Sequence, residues 1–351
     1  MAIFNGKTII LAAPMQYGFS DLIERELRFQ GFEVYNLSFI QHRFQYKNMA
    51  ERLNSYIYKN LLGYRDYKTH LKFKRVEPEM RDKLSATPPV DYALIIRPDQ
   101  YSEDFISEVG LKANKIVGYQ WDGLSRYPAV YKRINCFDRF FVFDPKDVQY
   151  PNTFPATNFY TNSFDVSYSK KHQSDLYYLG SYIRKRAAQV EEIITTLQES
   201  GLSVKYHIYR CGKRKAGFKR LKTSSVDMTY HENLRFAFNS KVLLDVPTVQ
   251  HNGLSFRVFE ALGFNKKLIT TNKDVKQYDF YHPSNIFVWE GQPQRELQAF
   301  LDAPYVQLDY SIKDKYSFSR WIANLLDGCK AEQIVEREAV TNVKLEPALV
   351  Y

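Results

Sequence analysis

Twice along this chain a short apolar run gives way to a helical stretch and then to another apolar run, and that alternation restricts the fold more than any single residue does. From the amino terminus the pattern predicts strands at Thr8–Ala13, Glu33–Leu37, Tyr92–Ile96, Ile116–Gln120 and Arg139–Phe143. Helices are predicted near Ser20–Gln30, Met49–Leu62, Glu103–Asn114 and Tyr127–Asn135. The polar segment Tyr160–Ser174 interrupts the alternation, which then restarts at Leu176–Leu179. It runs on through a helix at Lys185–Ser200, a strand at Val204–Tyr209, a helix at Glu232–Phe238, strands at Val242–Val246, Lys267–Thr271 and Ile286–Val288, and a helix at Ser311–Leu326 expected to cross back onto the first half. Short buried strands separated by helices imply parallel, doubly wound α/β sheets. The expected division is one domain over 1–165, a second over 166–330 and a loosely packed tail over 331–351.

The formal charge of +10 favours an acidic partner and fixes its sign, not its identity. Cys136, Cys211 and Cys329 are far apart and match no disulfide framework or zinc-ligand spacing, which fits a reducing cytoplasm. The apolar run Thr8–Ala13 is too short for a signal segment, and no window has the length of a membrane span. Any contact with an anionic membrane is therefore expected to be peripheral, through the basic and aromatic stretch Tyr64–Arg75, which reads equally as a solvated face.

In an open parallel sheet, ligands bind beyond the carboxyl ends of the strands, so the residues following each strand are the candidates. The stretch Lys241–Asn272 packs a strand, a polar loop, a two-turn helix from Ser255 to Leu262 and a second strand into one run. Arg257 in the first turn opposes the helix dipole unless an anion sits there, and Glu260 shares its face. The pair is either a phosphate site or an ordinary surface ion pair on a packing helix. Gly180 ends a strand just before Arg184, Lys185 and Arg186, a layout suited to holding a diphosphate or, equally, a solvated helix start. Asp122, in YQWDG, either accepts a proton from an attacking hydroxyl or caps the following turn. His251 lies in the polar loop and reads as a phosphate or sugar contact or as a packing histidine, while Asp138 and Asp144 read as more structural than catalytic. No P-loop and no GxGxxG fingerprint is present.

The second half resembles the carboxyl-terminal domain of GT-B glycosyltransferases, particularly bacterial surface-polysaccharide enzymes related to glycosyltransferase families one and four. Those enzymes often carry a Glu, seven residues and a second Glu before a small-residue turn and an apolar strand; here Asn252, GLSFRVF and Glu260 take those places, so only the second acid is kept. QHNGLSFRVFEALGFNKKLITTN, YQWDGLSRYP and FDRFFVFDPKD are also similar to segments of lipopolysaccharide and capsule glycosyltransferases. The resemblance, which spans roughly residues 90–290, implies two Rossmann-like domains facing across a cleft. It implies that Glu260 holds the donor ribose, that Arg257 and the helix start meet the phosphates, and that His251, Asn252 and Gly253 line the donor loop. The implied activity moves a sugar from a nucleotide-sugar donor, a substrate and not a cofactor, to a hydroxyl of a surface glycan or lipid-linked glycan. Asp122 acts on the acceptor, cations take the place of a metal, and Glu260 points to retention of configuration.

Three other readings stay in view. A nucleic-acid-binding protein fits the charge but lacks any helix-turn-helix, RRM, KH or zinc-finger signature, and the alternating pattern disperses its cations. A catalytically silent GT-B-like protein that binds glycan or nucleotide shares every feature except turnover. A polyol-phosphate transferase differs in using a CDP-alcohol donor.

Overall fold

A computed structural model describes residues 4–39, 44–61, 67–165, 174–210, 217–247 and 253–327. The first sheet holds six parallel strands, β1 (Thr8–Ala12), β2 (Glu33–Asn36), β3 (Val90–Ile96), β4 (Ala113–Gln120), β5 (Arg139–Val142) and β6 (Thr153–Pro155), in the order β2-β1-β3-β4-β5-β6. The second holds β7 (Ser174–Ser181), β8 (Val204–Tyr209), β9 (Ser240–Asp245), β10 (Lys267–Thr270) and β11 (Ile286–Val288), also parallel, in the order β11-β10-β9-β7-β8. Counted within its own half, each sheet places its second strand outside its first and its third on the other side. Both units are thus Rossmann-like with a switch of direction beside the first strand, at β1/β3 and at β7/β9.

The helices are α1 (Phe19–Phe29), α2 (Met49–Asn60), α3 (Tyr67–Ala86), α4 (Glu103–Lys112), α5 (Arg184–Glu199), α6 (Tyr230–Phe238), α7 (Phe256–Gly263), α8 (Gln294–Asp302), α9 (Tyr310–Asp314) and α10 (Phe318–Leu326). They cover both faces of each sheet, so strand residues of both parities are buried. On the first sheet Ile9, Leu11, Leu94 and Val117 face α1, while Ile10, Ala93, Ile95 and Ile116 face the α3/α4 side. On the second, Leu176, Val242 and Leu244 pack with α5, and Tyr177, Leu243 and Leu268 with α7.

Several elements differ from expectation. The Ser311–Leu326 stretch is two helices, because Ser317 accepts the Arg320 N–H at 3.2 Å and starts α10 afresh. The crossing itself is present: Phe318, Trp321, Ile322, Leu325 and Leu326 are buried in the first unit's core. The predicted helix near Tyr127 is a 3₁₀ run, Pro128–Cys136. The 20-residue α3 was not anticipated beyond its basic beginning, since Pro78 inside it reads as a break. Of the Tyr64–Arg75 stretch, 64–66 lie outside the described residues, as does the tail 331–351. No described helix is long and apolar enough to cross a membrane.

The carboxyl ends of the two sheets meet. Tyr17, after β1, stacks edge-on with Tyr209 at the end of β8, 6.3 Å between centroids. Phe19, at the start of α1, touches Tyr230 and Phe256 of the second unit at 5.4 and 5.0 Å. The connecting segment is pinned as well: Glu26 of α1, fully buried, accepts the Asn162 and Ser163 N–H groups at 2.9 and 3.0 Å and the Ser163 hydroxyl at 2.6 Å. Burial raises the Glu26 carboxyl above its ordinary value, against the lowering effect of these hydrogen bonds.

Candidate functional site

The switch point of the second sheet gathers most of the predicted donor residues. α5 and α7 both start beside it, and neither has a side-chain N-cap or an acidic residue in its first turn. Their first turns instead carry Arg184, Lys185 and Arg186 in one case and Arg257 in the other. The Ser255 hydroxyl, placed to cap α7, is diverted to Asp245 at 2.7 Å. Two helix starts left to backbone N–H groups, each with cations, make an electropositive corner at the ends of β7 and β9.

Within that corner the predicted residues divide. Arg184 is exposed. Arg186 is a strap, its Nη1 donating to the Val246 carbonyl at 2.5 Å and its Nη2 to the Ser181 carbonyl at 2.8 Å, which ties the ends of β9 and β7 together. Gly180 is required by packing: a Cβ there would lie 2.5 Å from the Tyr178 hydroxyl oxygen. That buried hydroxyl has no hydrogen-bond partner among the described residues. Gly253 is likewise a close-approach site, where a Cβ would lie 2.5 Å from the Phe143 ring of the first unit. His251 and Asn252 lie outside the described residues.

Arg257 and Glu260 are not a surface pair. They are 8% and 3% exposed, and Arg257 Nη1 donates to Glu260 Oε2 and, at 3.1 Å, to Asn233 Oδ1. Glu260 Oε1 accepts from the Tyr230 hydroxyl at 2.8 Å and Asn233 Nδ2 at 3.0 Å. The chain therefore supplies from within part of the anion that the position of Arg257 calls for. Tyr230 covers the carboxylate, and its own ring packs on Phe19, so the pair is linked to the contact between the two units.

Asp245, at the end of β9, was missed because it sits inside an apolar run. Its carboxylate accepts from Ser255 at 2.7 Å and from Thr270 at 2.8 Å. Burial raises its pKa, against the lowering pull of those hydroxyls and of Arg257 and Arg186. A patterned search for acids terminating apolar strands would have found it.

Across the contact, Asp122 follows β4. Its Oδ2 holds Arg97 Nη1 at 2.8 Å and its Oδ1 holds Arg126 Nη1 at 3.1 Å. Arg97 in turn grips Asp99 with two bonds of 2.7 and 2.8 Å and lies over the Tyr127 ring at 3.9 Å. Its backbone is left-handed, φ 59°, which is uncommon outside glycine. Asp122 thus stands in an ion-pair network, and the following 3₁₀ turn starts at Gly123 without a side-chain cap. Trp121, just before Asp122, packs edge-on against Phe19 at 4.6 Å. Asp138 accepts the Ile116 N–H at 2.7 Å and Asp144 the Lys146 N–H at 3.1 Å, which are structural roles. No cluster of three or more His, Cys, Asp or Glu side chains spaced to hold a metal occurs among the described residues.

No family model matches the chain, and no curated protein matches it. Solved structures similar in architecture include a UDP-forming α,α-trehalose-phosphate synthase from Burkholderia xenovorans, 11% identical, covering 91% of this chain and 95% of that one with a TM-score of 0.48. A UDP-N-acetylglucosamine 2-epimerase is 10% identical over 99% of this chain and 100% of its own, TM-score 0.43. A spinosyn rhamnosyltransferase is 12% identical over 91% and 95%, TM-score 0.38. At such identity and overlap the likeness does not extend to activity or substrate.

Proposed function

We propose that this protein is a GT-B-type glycosyltransferase that takes a sugar from a nucleotide-sugar donor held by the second unit and transfers it to a hydroxyl of a glycan or lipid-linked glycan held by the first. The observation that carries the reading is the electropositive corner at β7/β9, where two helix starts without side-chain caps carry cations in their first turns and the start of α7 packs on Phe19 of the first unit. A leaving diphosphate placed there is neutralised by backbone N–H groups and by Arg184. Arg257 and Glu260 support the donor from beneath. Glu260 accepts three protein donors and is closed over by Tyr230, so in this reading it holds Arg257 and Tyr230 beneath the donor in place of the ribose contact that the resemblance implied. Asp122 is assigned to the acceptor, and the acceptor's attachment to a bacterial surface glycan at a membrane face belongs to the same proposal.

One observation favours a second reading, a catalytically silent binder of the same ligands. Each carboxylate oxygen of Asp122 already holds an arginine, Arg97 on one and Arg126 on the other, which suits a structural anchor as well as a catalytic group. Calorimetric titration with UDP, GDP and CMP, followed by mass spectrometry of each corresponding sugar nucleotide after incubation, separates the two. Tight binding with sugar release or transfer supports the enzyme; tight binding with the donor intact supports the silent protein; no nucleotide binding overturns both.

A further inference from the structure

Helix α2 is built inside out. A helix of a soluble domain turns its apolar stripe to the core. Here Met49, Leu53 and Tyr56, spaced i, i+4, i+7 along one stripe, are 74%, 59% and 63% exposed, and Leu61 just past the end is 74% exposed. The residue α2 buries is Ser55, whose hydroxyl meets that of Tyr46 at 3.1 Å. The helix is nonetheless firmly attached on its polar side. Glu51 accepts Arg75 of α3 at 2.7 and 3.0 Å, and Tyr58 stacks on Tyr67 at 4.3 Å.

The charge around the stripe has one sign. Residues 44–61 and 67–75 hold seven lysines and arginines against the single acid Glu51, a net +6, and that acid is turned inward to Arg75. Arg52 and Lys59 flank the stripe, and Lys68 and Lys74 are exposed on the neighbouring helix α3. The topology sets its position: the chain leaves the carboxyl end of β2 before α2 and α3 returns it to the start of β3, so α2 lies at the ligand-binding end of the first sheet.

We infer that the α2 face docks on the surface of an anionic lipid bilayer, with Met49, Leu53, Tyr56 and Leu61 entering the headgroup boundary and the surrounding cations pairing with lipid phosphates. A second copy of the chain would set +6 against +6, and an acidic soluble partner would leave the apolar stripe unexplained. The docking extends the membrane location in the proposed function but rests on no nucleotide site or transfer step.

The test is flotation of the full chain with vesicles of phosphatidylcholine alone and of phosphatidylcholine with 30–40% phosphatidylglycerol, roughly the range in which surface charge governs such binding, at low and high salt. Binding to the anionic vesicles is expected, falling at least about tenfold at high salt, with Leu53→Glu/Tyr56→Glu and Lys68→Glu/Lys74→Glu each reducing it at least about tenfold. Both pairs are exposed, and an unchanged thermal transition confirms that each variant folds. Absence of wild-type binding, or unchanged binding by the Leu53→Glu/Tyr56→Glu variant, overturns the assignment. So does a concentration-dependent dimer that this variant splits while vesicles are ignored. Nucleotide titration of the same samples reports on the transferase reading separately.

Discussion

Arg97 Nη1 meets Asp122 Oδ2 at 2.8 Å, and this bond joins the loops after β3 and β4 at the rim of the first sheet. The arginine is held in a left-handed backbone and is also paired with Asp99, so removing the Asp122 charge does not leave it unpaired. Asp122→Asn is therefore expected to cost only about 1–2 kcal/mol in urea unfolding, the value of weakened charge-assisted bonds. If the side chain acts on the acceptor, turnover falls roughly a hundredfold while donor affinity stays unchanged. Near-normal turnover would remove Asp122 from the chemistry and leave it a structural anchor.

Arg257→Ala now carries a different expectation from one based on an exposed contact. It strips the guanidinium from a buried carboxylate and from Asn233, so a loss of about 3–5 kcal/mol in folding stability is expected. With Glu260→Gln as the second single variant, the double variant Arg257→Ala/Glu260→Gln should recover much of that loss, because no buried charge is then left alone. Chemical denaturation of the two single variants and the double variant measures the coupling. Additive losses would show that the pair is solvated and not packed under Tyr230.

The sequence makes the alternation of strands and helices legible because strands buried on both faces read as short continuous apolar runs between helically spaced stretches. It also brings α7 and its Arg257–Glu260 spacing into view. What lay hidden was depth: nothing in R-x-x-E says that Tyr230 and Asn233, from a helix more than twenty residues earlier, close over the carboxylate. Gly253 looked like a loop glycine suited to a ligand, yet its neighbour is Phe143, more than a hundred residues away in sequence. α3 was obscured by dense charge and Pro78, and Asp245 by the apolar run around it. Each miss depends on a long-range contact or on a local rule overridden by tertiary packing.

Gly180 and Tyr178 form a steric pair that can be tested without knowing the ligand. A methyl at 180 must displace the Tyr178 hydroxyl, so Gly180→Ala should destabilise the fold by about 1–3 kcal/mol. Tyr178→Phe removes a buried hydroxyl that lacks a partner, so alone it should be neutral or slightly stabilising. Combined with Gly180→Ala it should recover part of the lost stability, because the ring Cζ still lies 2.9 Å from the added carbon. If Tyr178→Phe instead costs 1 kcal/mol or more, roughly the worth of a hydrogen bond, the hydroxyl has a partner, and the corner at β7/β9 is more filled than this geometry implies.

Acid should weaken both units by the same device. Asp91 accepts from Lys7, the Thr8 N–H and the Thr8 hydroxyl, and Asp175 from Lys241 and from the Ser203 N–H and hydroxyl, each clamping the amino ends of adjacent strands. The Lys7 hydrogen bond and then the Thr8 N–H lower Asp91 to about 2, and Lys241 and then Ser203 lower Asp175 to about 2. A carboxylate lowered in the native state contributes stability that is complete above its unfolded value near 3.8 and is lost as pH falls through about 2. In that window the unfolded chain binds the extra proton, so stability falls with acid by at most about 1.4 kcal/mol per pH unit per group, and by less here because both carboxylates are partly solvated. Glu26 acts in the opposite sense, since its raised value makes the native state take up a proton first as pH falls. Asp91→Asn and Asp175→Asn keep the acceptor oxygen and remove the charge, so each should flatten the stability curve between pH 4 and 2 while lowering its plateau near neutrality. Urea midpoints at fixed ionic strength from pH 2 to 7 provide the measurement. Curves for the variants that run parallel to the wild type below pH 4 would show that these clamps contribute nothing through their charge.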